Sequence, residues 1–183
     1  MSATRQPDQS PALHPLLDPF IQICLLRKGP QDLPHSRRLL YLALGLYALS
    51  GVVLARAYLP MLQSVALGLS DTLLLTLMTG SLLYLQRRQA RLVQTLAALA
   101  GTGFVIGVTA LVPTWWSALV HAGGGEADLP ALLLLAVVVW SLVVMGHVLR
   151  HALSAPLFVG LLVAVVFYWL ALAVQDGLVP IPE

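Results

Sequence analysis

The chain has 183 residues, of which 58% are hydrophobic and only 10% charged, with a formal net charge of +2. Soluble domains carry about a quarter charged residues, so the composition excludes an ordinary soluble domain and leaves room for one compact bundle. A nucleic-acid partner is not implied, because the basic residues sit beside apolar spans. The single cysteine, Cys24, excludes an internal disulfide and a cysteine-based zinc site.

Residues 1–14 are polar and contain proline. No long apolar core follows Arg5, so they do not read as a signal peptide. Ile21-Gln22-Ile23-Cys24 has the outline of a lipoprotein cleavage site, but the bulky Ile23 argues against one. A buried or interfacial thiol is the expectation for Cys24. Asp18 as cap, Pro19 at the first position and Gly29-Pro30 as a stop predict a short amphipathic helix over 19–28. Ten residues rise only about 15 Å, half a bilayer. The helix is therefore expected to lie in the cytoplasmic interface or to tuck under the bundle. It belongs to a cytoplasmic N-terminal segment, residues 1–38.

Five apolar spans follow, together forming a bundle over 39–174. Pro30 and Pro34 make an extended elbow, and Ser36 is a candidate cap ahead of Arg37-Arg38 and the first span, 39–59. Pro60 allows a tight reversal into the second span, 62–86, which ends in the densest basic cluster, Arg87, Arg88 and Arg91. Along this span Ser64, Gly68, Thr72, Thr76 and Gly80 recur every four residues as a small-residue stripe. In lipid such a stripe marks a helix-packing face, so this helix is expected at the centre of the bundle.

The third span, 92–112, carries a second packing pattern, Gly103-x-x-x-Gly107. Residues 113–129 read as the longest loop, with Trp115-Trp116 at the boundary and Gly123-Gly124-Gly125 as a flexible centre. The fourth span, 130–149, ends at Arg150 and His151, and the fifth runs over 155–174 before a short acidic tail, 175–183.

With the N-terminus in the cytoplasm, that side holds Arg5, Arg27, Lys28, Arg37, Arg38, Arg87, Arg88, Arg91 and Arg150. The other side holds Arg56 alone, a ratio of nine to one. Short loops with this bias predict five spans, N-terminus inside and C-terminus outside.

The layout resembles the Yip-domain family, the Rab-interacting membrane proteins of eukaryotes with many bacterial relatives. Pro19-Phe20-Ile21-Gln22-Ile23 and then Gly29-Pro30-Gln31-Asp32-Leu33-Pro34-His35-Ser36 ahead of the first span resemble small proteobacterial members. The resemblance implies a five-span architecture in a bacterial inner membrane. The Asp-Leu-Tyr-Gly-Pro motif of eukaryotic members is absent, so Rab binding is not carried over.

Asp71 is the most informative position, about 13 Å into the second span. A lone carboxylate there costs about 2.5–3.5 kcal/mol and needs a partner, a water cavity or a proton. Arg56, near the same end of the neighbouring span, is the expected ion-pair partner; a proton- or ion-handling role and a position near the surface are the other readings. His147 and His151 share a helix face, yet no carboxylate or cysteine accompanies them as a metal site requires. Trp140 lies near the middle of its span and is expected to face another helix.

No nucleophile elbow, phosphate loop or Gly-x-Gly-x-x-Gly is present. The sequence thus predicts a non-enzymatic, all-α membrane protein without cofactor or metal. Its expected partners are the lipid bilayer and either a second copy or another membrane protein, as a scaffold or assembly partner. The alternative is a small oligomeric transporter or channel, with Asp71, Thr72, Thr76 and Thr79 lining a cavity.

Overall fold

The structure, a computed structural model, describes residues 17–178. Among them all regular structure is helical, and five helices are long and apolar enough to cross a membrane. The elements are α1 (Asp18–Cys24), α2 (Arg37–Ala55), α3 (Met61–Leu85), α4 (Leu92–Ala122), α5 (Asp128–Leu153) and α6 (Leu157–Leu178). Single 3-10 turns at Pro30–Asp32 and Gln89–Arg91 precede α2 and α4. The termini at 1–14 and most of the 175–183 tail lie wholly or largely outside the described residues.

The spans pass alternately from an arginine-rich end of the bundle to the opposite end. Ser36 caps α2, its Oγ accepting the Leu39 N–H at 3.4 Å. α1, α3 and α5 all close the same way, the last two at the arginine-rich end. Leu26, Arg87 and Ser154 adopt left-handed backbone with φ of 61°, 55° and 48°. Each is followed by an N–H that reaches five residues back: Arg27 to Gln22, Arg88 to Leu83 and Ala155 to Arg150. This satisfies carbonyls that a helix end otherwise leaves open, at the cost of a non-glycine residue in left-handed space. It also stops α1 at Cys24, four residues short of the expected Lys28.

Three further expectations change. The centre of the bundle is α4, not α3: Thr95 through Thr102 are buried without interruption. On α3 the buried positions are Ser64, Gly68, Leu75, Thr79 and Leu83. A four-residue repeat advances 400° at 3.6 residues per turn, so a stripe drifts about 40° at each step. The small-residue stripe therefore starts against α2, where Gly68 abuts the Ala48 carbonyl and Val52, and ends at Gly80, with open space about it.

The third span also does not stop at Val112. Pro113 is buried inside α4, and the helix continues through Trp115 and Trp116 to Ala122. Proline removes one donor and disfavours helix before it. Apolar helices tolerate it nonetheless, because neighbouring groups satisfy the freed backbone. Near this point the Tyr58 hydroxyl donates to the Thr114 carbonyl at 3.2 Å, fastening the α2–α3 turn to α4. The expected 113–129 loop shrinks to the short link between Ala122 and Asp128.

The contact of α5 with α6 was not expected from any repeat. A Cβ on Gly160 would overlap the Gly146 carbonyl, and one on Gly146 would meet Leu161. One glycine on each helix gives the close approach, without a motif on either.

Candidate functional site

Two polar arrangements lie within the apolar bundle. The first is the docking site of the N-terminal segment. Phe20, Ile23 and Cys24 are buried, and the Phe20 ring occupies the space a side chain at Gly101 would need. The indole N–H of Trp140 donates to the Cys24 carbonyl at 3.1 Å, and Nε2 of His147 donates to the Lys28 carbonyl at 3.0 Å. Gln94 closes the series, its amide donating to the Leu33 carbonyl at 2.7 Å. These carbonyls lie at the C-terminal end of α1 or beyond it, where they would otherwise be unpaired in an apolar setting. Thr102 and Trp140 each stand about ten residues, roughly 15 Å, from the arginine-rich ends of α4 and α5. The segment thus packs well inside the bundle, against α4 and α5.

The Cys24 Sγ lies 3.9 Å from the Thr102 carbonyl. Burial pushes its thiol up to about 12, so it stays neutral and unreactive at ordinary pH. His147 and His151 meet edge to face with ring centroids 4.8 Å apart. No group of three or more His, Cys, Asp and Glu comes together among the described residues. His147, engaged by the Lys28 carbonyl, fastens the segment to α5.

The second arrangement is a cavity of about 320 Å³ reached by α2, α3, α4, α5 and α6. Its wall is mostly aliphatic, with Leu75, Ile106, Val137 and Phe167 among the lining residues. Asp71 is its one charged residue, and the Tyr47 hydroxyl donates to Asp71 Oδ2 at 2.5 Å. Tyr47 is held in turn by Gly103, where a Cβ would collide with its ring, while Gly107 receives Ser50. The Gly103-x-x-x-Gly107 face therefore seats α2, and through Tyr47 it positions the partner of Asp71.

Arg56 is not that partner. Its guanidinium turns back onto the Leu59 carbonyl in the α2–α3 turn. Arg56 is exposed just past the end of α2, whereas Asp71 faces Tyr47. Tyr47 was missed because a mid-span tyrosine reads as packing; its position about one helix length from Asp71, across a tight hairpin, was the available signal. Thr72 and Thr76 do not line the cavity: each donates to the carbonyl four residues back, at 2.8 Å. Thr79 is fully buried, and its Oγ1 has no partner among the described residues.

Comparison with family models, with curated proteins and with solved structures finds no match.

Proposed function

We propose that this is a non-enzymatic, multi-pass protein of a bacterial inner membrane, acting as a scaffold or assembly partner. In this reading the Yip-like resemblance is one of architecture. The N-terminus is cytoplasmic and the C-terminus periplasmic, as the nine-to-one distribution of basic residues favours. The observation that carries the scaffold reading is the use of polar groups inside the bundle. Asp71 is engaged by Tyr47, Thr72 and Thr76 by their own helix, and Trp140 and His147 by the N-terminal segment. Tyr47, Trp140 and His147 in this way fasten separate elements to one another.

A second reading, a small oligomeric transporter, draws on the cavity at Asp71, whose volume falls in the range of small-molecule sites. Crosslinking in native membranes separates the two. The scaffold reading expects a membrane-protein partner recovered in fixed ratio, and recovered equally with Asp71→Asn. A flux in proteoliposomes that Asp71→Asn abolishes without unfolding the protein overturns it.

A further inference from the structure

At the arginine-rich end, the turn after α3, the start of α4 and the end of α5 surround a separate cavity of about 240 Å³. Its wall includes Gln31, Arg91, Gln94, Thr95, His151 and Ser154. Arg91 Nη1 donates to the His151 and Ala152 carbonyls at 3.1 and 3.2 Å and to Ser154 Oγ at 2.8 Å. Arg88 Nη1 reaches the same hydroxyl at 2.5 Å. Arg88 and Arg150 stand outside the wall itself, and Arg150 Nη2 lies 3.5 Å from Nε2 of the wall residue His151.

Every acceptor named for Arg88 and Arg91 is a neutral oxygen, so their charge is held in place without being cancelled. The C-terminus of α5 offers about half a negative charge. Asp32, which follows the wall residue Gln31, brings one acid, and its Oδ2 accepts the Gly29 N–H at 2.8 Å. Against three guanidiniums, these leave a surplus of about 1.5 positive charges.

A guanidinium presents five donors in a planar fork, and in Arg88 and Arg91 only Nη1 makes the contacts above. With Arg91 in the wall and Arg88 and Arg150 each touching a wall residue, the positive charge at this pocket suits a tetrahedral oxyanion better than a carboxylate, which needs only one fork. The pocket opens where apolar spans end, at the level of lipid headgroups. We propose that it binds a phosphate group, the headgroup phosphate of an anionic phospholipid. The bound phosphate would add a tie between the α3–α4 turn and the end of α5, beside the bonds of Arg88 and Arg91 to Ser154, His151 and Ala152. This inference is independent of the scaffold reading, since it concerns lipid and not a protein partner.

The test uses the full-length protein in nanodiscs of phosphatidylcholine, with or without phosphatidylglycerol. Lipid retention is read by native mass spectrometry and the unfolding midpoint by temperature. Phosphatidylglycerol should be retained and should raise the midpoint. Arg88→Gln and Arg150→Gln should each weaken retention about fivefold, while Arg88→Lys and Arg150→Lys should keep most of it. Both pairs leave the capping bonds of Arg91 in place.

Arg37→Gln and Arg38→Gln, at the same end but away from the pocket, control for general surface charge and should change little. Inorganic phosphate that raises the midpoint in pure phosphatidylcholine would support the phosphate chemistry with a soluble source. No shift with either ligand overturns the proposal. So does a loss of retention as large for the Arg37 and Arg38 variants as for Arg88 and Arg150.

Discussion

The indole N–H of Trp140 donates to the carbonyl of Cys24 at 3.1 Å, joining residues 116 apart in the chain. It is a hydrogen bond between the middle of one long apolar helix and the end of a seven-residue one. Trp140→Phe keeps most of the ring and removes the donor, leaving the carbonyl unpaired in apolar surroundings. Trypsin should then cut faster after Arg27 and Lys28, which are exposed, while the five long helices stay folded. The expected loss is about 1–3 kcal/mol in docking of the segment. Cleavage at the wild-type rate would show that the bond does not hold the segment.

Tyr47 and Asp71 should behave as a coupled pair, and Arg56 and Asp71 as independent residues. In a double-mutant cycle on folded stability, Tyr47→Phe with Asp71→Asn should show a coupling of about 0.6 to 1.7 kcal/mol. Arg56→Leu with Asp71→Leu should be additive within about 0.5 kcal/mol. The reverse pattern would restore the ion pair that charge alone suggested.

Glycines that look alike in sequence should differ sharply in tolerance. Gly160→Ala should cost about 1–3 kcal/mol or prevent folding, because its Cβ would overlap the Gly146 carbonyl. Gly80→Ala meets open space and removes backbone freedom from the unfolded chain, so it should stabilise by up to about 1 kcal/mol. Folded yield and midpoint in detergent check both.

Cys24 supplies a pH test. Its folded thiol is pushed up to about 12, against about 8.5 for an unfolded one. The folded state therefore holds a proton that the unfolded state releases, so the contribution of this group to stability is complete below about pH 8.5. It then declines as pH rises toward 12. Maleimide labelling of the native protein should stay slow from neutral pH to about pH 9, while the denatured chain should react readily. Native labelling as fast as the denatured chain would place Cys24 at the surface.

The spans were legible because each is a long apolar run, and run length is a property of the chain alone. Position within the bundle was not. The α3 stripe and the Gly103–Gly107 pair are the same kind of signal, yet only the second lies wholly against a neighbour. Which face a helix turns inward depends on its rotation, and the drift of a four-residue repeat carries Gly80 away. Pro113 was read as a stop because proline ends helices in water; inside an apolar bundle the helix runs through it. The depth of α1 was equally hidden, since Phe20, Ile23 and Cys24 would face lipid or protein with the same pattern. The fastening of Tyr47 to Asp71 was out of reach for a related reason: charge draws attention to Arg56, and an uncharged hydroxyl gives no such signal.

The docking of α1 also constrains the timing of biogenesis. A ribosome makes residues 18–33 before α4 and α5, yet their acceptors Cys24, Lys28 and Leu33 find donors only on those later helices. The earliest described stretch of the chain thus completes its bonds only once α5 is in place. Until α4 has been synthesised and inserted, Phe20 has no Gly101 to pack against, and until α5 follows, the Cys24 and Lys28 carbonyls have no donors. A chaperone or membrane protease could read that exposed stretch as the mark of an unfinished molecule.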